Sequence, residues 1–125
     1  MRVANILQLG VFQLMSLYST TIFAGDVDVI NATVQRTGEN TYAFSATLKH
    51  GDTGWDHYAN QWVVTDENGH IYGTRVLHHP HVNEQPFTRN LSGVYIPKSV
   101  EHVIIKASDS VHGSQGKTFN IALPR

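Results

Sequence analysis

The stretch Tyr42-Ala43-Phe44-Ser45-Ala46-Thr47-Leu48-Lys49 decides the fold class. Tyr42, Phe44, Ala46 and Leu48 alternate with Ala43, Ser45, Thr47 and Lys49. In an extended chain, residues two apart face the same side. Strict alternation of this kind therefore marks a strand with one face against a core. Working outward, Val27, Val29, Ala32 and Val34 predict an earlier strand, with an irregularity near Ile30. Gln61–Thr65 predicts a third, and Asp66-Glu67-Asn68-Gly69 a tight turn after it. Further strands are expected over His70–Leu77, Phe87–Leu91 (continuing past a kink at Gly93), Val100–Ala107 and Lys117–Leu123. Ile96-Pro97-Lys98-Ser99 turns the chain between the fifth and sixth. No stretch from Val27 onward sustains helical periodicity.

Seven short strands separated by turn signals predict an all-β, antiparallel sandwich in one domain. Ahead of it, residues 1–24 read as a cleavable secretory signal. Arg2 is positive, Ile6–Phe23 is uncharged and mostly apolar, and Ala24 is a small residue at the cleavage point. Export to the periplasm or the medium is therefore expected, with no stable membrane anchor after cleavage. The domain then spans residues 25–125, a length that suits a sandwich of about 100 residues.

Composition narrows the function. Net charge is −1 and charged residues make up 15% of the chain. No basic field points to nucleic acid. The absence of cysteine removes disulfides, thiolate metal sites, a cysteine nucleophile and a cysteine-linked lipid anchor. No nucleophile elbow is present. Gly113-Ser114-Gln115-Gly116-Lys117 leads into a strand rather than a helix, so it does not make a phosphate loop. No complete catalytic signature remains, and no catalytic residue is assigned.

The 8 histidines are the chemical feature that stands out. Strands that alternate up and down place three connections at one pole: Gly51–Asn60, His78–Pro86 and Asp109–Gly116. These carry His57, then His78, His79 and His81, then His112. His50 sits at the same end of the second strand. His70 and His102 lie outside this group. Pro80 favours an extended conformation at His79, so His79 and His81 can face one ion. The expected metal ligands are His57, His79, His81 and His112. Asp56, Glu84 and Asp109 are nearby carboxylates suited to ligate or to orient the imidazoles. With nitrogen and oxygen donors and no soft ligand, the expected ion is zinc or copper(II), with nickel(II) also compatible. Each histidine alone has an ordinary structural role open to it, such as bonding loop backbone.

A resemblance supports the fold. Trp62 in the third strand, and Val103-Ile104-Ile105-Lys106-Ala107 followed by a Gly-rich loop and Thr118–Pro124, resemble immunoglobulin-like and fibronectin-like domains. The cysteine pair of antibody domains is missing. Gly54–Tyr58, His79–Thr88 and Asp109–Gly113 also resemble segments of a family of small exported bacterial proteins of unknown activity. That resemblance implies export and adds no chemistry. Two functions remain in view besides an enzyme: an exported metal-binding protein, or a binding module whose same loops, with Trp55, Tyr58 and Phe87, take a glycan, peptide or protein.

Overall fold

A computed structural model describes residues 25–125. The expected signal, residues 1–24, lies outside the described residues. Seven strands follow one another: β1 (Asp28–Arg36), β2 (Thr41–Lys49), β3 (Ala59–Thr65), β4 (Ile71–Val76), β5 (Phe87–Tyr95), β6 (His102–Asp109) and β7 (Phe119–Ala122). They form two antiparallel sheets, ordered β1-β2-β5 and β4-β3-β6-β7. The architecture is an all-β sandwich.

Alternation builds the core between the sheets. Tyr42, Phe44, Ala46 and Leu48 of β2 are buried, and Val103, Ile105 and Ala107 of β6 face them from the other sheet. Trp62 of β3 and Phe87 of β5 are among the largest fully buried side chains. The register of β1 on β2 shifts between Val29 and Asn31, at the irregularity expected beside Ile30. β5 runs on through Gly93, which takes a positive φ of 67°. There the chain bulges, with Leu91 opposite Phe44 and Val94 opposite Tyr42.

Among the strand starts that differ from the sequence reading, two have a clear local cause. β6 begins two residues later than expected, because the Val100 N–H closes a turn onto the Pro97 carbonyl at 3.0 Å. β7 begins after Lys117, whose N–H is taken by the Asp28 carboxylate at 2.8 Å. The Asp66–Gly69 turn forms as expected. Gly69 supplies the positive φ, and Asp66 accepts the N–H groups of Asn68 and His70 at 2.9 and 3.0 Å.

Register fixes one pole. Leu48 pairs with Phe87, Ala59 with Asp109, and Asp28 with Lys49. The ends of β2 and β6, the starts of β3 and β5, and the start of β1 therefore meet at the same end of the sandwich. Trp62 anchors the middle of this core, and its indole N–H finds no partner among the described residues. Trp62→Ala is expected to lower unfolding free energy by about 3–5 kcal/mol in urea denaturation. Trp62→Phe keeps a ring and drops the unpaired donor, and should cost less than half as much.

Candidate metal centre

The inward rows of two strands end in polar residues. On β2 the buried positions run Tyr42, Phe44, Ala46, Leu48 and then His50 just past its end. On β6 they run Val103, Ile105, Ala107 and then Asp109. His50 thus comes from one sheet and Asp109 from the other. Both side chains are fully buried where the sandwich opens at this pole.

They meet directly. His50 Nε2 lies 3.2 Å from Asp109 Oδ2. His57 Nε2 lies 3.1 Å from the same oxygen and 3.3 Å from His50 Nε2. His112 Nδ1 approaches that oxygen too, at 3.1 Å. Three imidazole nitrogens from three chain segments therefore surround one carboxylate oxygen. The Gly25 carbonyl adds a further oxygen, 2.9 Å from His50 Nε2.

Local structure aims each ring. Gly54, with a positive φ, and His57 form an antiparallel bridge that folds the β2–β3 loop back on itself. The His57 N–H reaches the Gly54 carbonyl at 3.2 Å. Ser110 and Tyr58 exchange bonds that tie this loop to the end of β6. Asp109 accepts the backbone N–H groups of Val111, at 2.9 Å, and His112 through its other oxygen. His50 is held from behind by Asp52, whose Oδ1 is 2.5 Å from Nδ1. The carboxylate accepts there, so the ring carries its proton on Nδ1 and presents Nε2 to the cluster.

Burial favours the neutral form of Asp109, but hydrogen bonds outweigh it. The His112 backbone and ring, the Val111 N–H and the His57 ring hold this carboxyl well below the usual carboxylate range. His112 moves the other way. The Asp109 carboxylate raises its pKa, with burial opposing and Asp26 and the Gly25 backbone adding to the rise.

The sequence-expected ligands divide into two places. His57 and His112 join the cluster, and of the two places open to Asp109 the structure gives it the centre, among the rings. His79 and His81 do not join it. The His81 ring stacks on Phe87 with centroids 4.0 Å apart, and its Nε2 lies 2.9 Å from an Arg89 nitrogen. Arginine only donates, so His81 must accept there and carry its proton on Nδ1. That buried Nδ1 has no partner among the described residues. Burial, then the Arg89 charge, push the His81 pKa down. His79 is exposed and packs beside His81, with centroids 4.8 Å apart. Glu84 pairs with Arg89 at 3.3 Å, and Asp56 is exposed. Asp52 joins the two groups: it holds His50 through one oxygen and accepts the His81 N–H through the other at 2.7 Å.

Sequence reasoning passed over His50, Asp52 and Gly25 as parts of the site. The signal for His50 was its parity, since it falls on the same face as Tyr42, Phe44, Ala46 and Leu48. Two groups of donor atoms are close enough to share a cation: His50, His57 and Asp109, and Asp26, Asp109 and His112.

Comparison with known proteins adds one relative. The chain is 35% identical over 94 residues to a Halomicrobium mukohataei protein described as "Putative lipoprotein". The match covers 75% of this chain and 46% of that one, so the chain spans about half the length of the curated relative it matches. No family model matches the chain, and no solved structure matches it.

Asp52→Ala leaves the Ala59 and His81 N–H groups and the His50 ring without their acceptor. Stability should fall by at least about 2 kcal/mol, since each buried orphaned donor costs about 1–3 kcal/mol. The raised His112 pKa sets a pH dependence in the metal-free protein. Its bond to Asp109 contributes fully below the ordinary histidine value of about 6.5 and is lost as pH climbs through the raised folded value. The stability difference between the unaltered chain and His112→Ala should therefore shrink as pH rises above about 6.5, read by thermal unfolding at a series of pH values.

Proposed function

We propose that this is an exported metal-binding protein that holds one divalent transition ion, Zn(II) or Cu(II), at the pole of its sandwich. The observation that carries the reading is the convergence of His50, His57 and His112 nitrogens on Asp109 Oδ2. Four-coordinate zinc with Zn–N bonds of about 2.0–2.1 Å sets its donor atoms about 3.3–3.4 Å apart. The 3.3 Å between His50 Nε2 and His57 Nε2, and the 3.1–3.2 Å from the rings to Asp109, are close to such edges. Asp52 holds a proton on His50 Nδ1 and so leaves Nε2 as the ring atom aimed at an oxygen-rich centre. A cation bound there would be shared by Nε2, the carboxylate and the Gly25 carbonyl. Nitrogen and oxygen donors suit zinc, copper(II) or nickel(II).

The carboxylate behind His50 supports the reading as well. Metal-binding histidines commonly donate their second N–H to such a group, which fixes the ring. A His-Asp set around a buried carboxylate fits binding, buffering or delivery of the ion. The relative's description as a lipoprotein supports work outside the cytoplasm, in the periplasm or the medium. The 125 residues hold no cysteine to carry such a lipid. The sheet order and the buried Trp62 of β3 support an immunoglobulin-like or fibronectin-like sandwich.

A second reading has its own observation. Trp55 is 67% exposed and meets Tyr58 edge-on at 5.5 Å, beside the cluster. An aromatic pair so placed suits recognition of a glycan, peptide or protein. Metal-insensitive binding that quenches Trp55 fluorescence in Trp62→Phe would favour it.

Titration with Zn(II) and Cu(II) tests the metal reading. One ion per chain should bind saturably, and no binding tighter than millimolar would end the proposal. His57→Ala and Asp109→Asn should each weaken affinity by at least about tenfold. His79→Ala and His102→Ala should change it less than twofold.

A further inference from the structure

We infer that the α-amino group of Gly25, freed when the leader is removed, is a ligand of the same cation, so that export processing completes the metal centre. This deepens the proposed metal site and rests on it. Cleavage expected at or just past Ala24 leaves Gly25 or Asp26 as the first residue, and the structure puts Gly25 at the cluster. Its carbonyl oxygen is 2.9 Å from His50 Nε2. The next residue, Asp26, reaches within 4.0 Å of His112 Nδ1. Gly25 and Asp26 thus already lie beside two of the converging histidines.

Their position is built in. β1 starts beside the end of β2, with Asp28 opposite Lys49. Val27 is fully buried. The Val29 N–H bonds the Lys117 carbonyl at 2.8 Å, and the Lys117 N–H returns a bond to the Asp28 carboxylate at 2.8 Å. Gly116 lets the β6–β7 loop lie against this segment, since a Cβ there would run into the Val27 carbonyl. Residues 27–29 are therefore clamped between β2 and the loop that carries His112, which brings Gly25, two residues earlier, to the cluster.

The chemistry changes with processing. In the uncut chain, the Gly25 nitrogen is an amide whose lone pair is delocalised into the Ala24 carbonyl. It is not a donor to zinc. Hydrolysis of the Ala24–Gly25 bond consumes one water, leaves a carboxylate on Ala24 and places a basic amine on Gly25. An α-amine has an ordinary pKa of about 7.7–8.0, so a cation displaces its proton to solvent near neutral pH. The amine nitrogen and the carbonyl oxygen flank a single Cα, so both can bind one ion in a five-membered ring. Glycine adds no side chain that would crowd the ring.

The test compares two forms of the chain beginning at Gly25, with the first residue confirmed by intact mass. One has a free amine, and the other is acetylated at Gly25 alone. Zn(II) affinity is read by competition with a chromophoric chelator, and Cu(II) binding by electron paramagnetic resonance. Acetylation should weaken Zn(II) binding by at least about tenfold, because a donor tethered at the site acts at high effective concentration. It should also remove one nitrogen coupling from the Cu(II) spectrum. Equal affinities and identical spectra, with both forms binding, would refute the amine ligand and leave the metal centre standing. Failure of both forms to bind would overturn the two proposals together. Export that leaves a first residue other than Gly25 would also defeat this one.

Discussion

A buried carboxylate at the mouth of the sandwich is the constraint on which this pole is built. Asp109 continues the inward row of β6 at a position where the rows before it are apolar. An ionised group there is costly unless bonded on every side. The chain answers with backbone donors from Val111 and His112 and with rings from three segments. Those bonds keep the carboxyl charged despite burial. The β2–β3 loop, the β6–β7 loop and the end of β2 all close on this point, so polar contacts order the pole beside the apolar packing of Val27, Leu48, Ala59 and Phe87.

Asp52 repeats the arrangement one layer out. It is buried, and each of its acceptors is used: His50 Nδ1, the Ala59 N–H and the His81 N–H. Gln85 then bonds the His50 N–H at 3.0 Å and the His81 carbonyl at 2.9 Å. The β4–β5 loop is thereby fastened to the same centre without offering it a ring. His81 spends its ring on Phe87 and Arg89 instead, which makes it a wall of the site.

The strand pattern was readable because period-two alternation reports which face each residue takes, and Tyr42–Leu48 reports it without a break. Strand direction followed, and with it the meeting of the histidine-bearing loops. Which rings meet was less readable. His79 and His81 share a face in an extended segment, yet Phe87 and Arg89, further along the chain in β5, compete for His81. Loop composition does not encode that competition. Asp109 was read as loop because Asp109-Ser110-Val111-His112-Gly113 looks like a turn, whereas the strand runs to Asp109 itself. His50 was legible in principle, since parity carries the buried row past Lys49. The role of Gly25 depends on a β1–β2 register that local pattern does not fix.

The two poles show why residue type alone is a poor guide. At the far pole His102 pairs with Glu67 at 3.1 Å, a distance equal to that of His57 and Asp109. There the side chains are 49% and 72% exposed. Water competes for both charges, and such pairs contribute about 0–1 kcal/mol. Among the described residues no third donor reaches the same atom. At the near pole the carboxylate is sealed from water and several donors share one oxygen. A lone surface pair is satisfied by solvent whenever it opens, while the buried carboxylate depends on the rings and N–H groups around it. The difference between an ordinary ion pair and a candidate metal centre thus lies in where the alternation of two strands ends, not in the number of histidines.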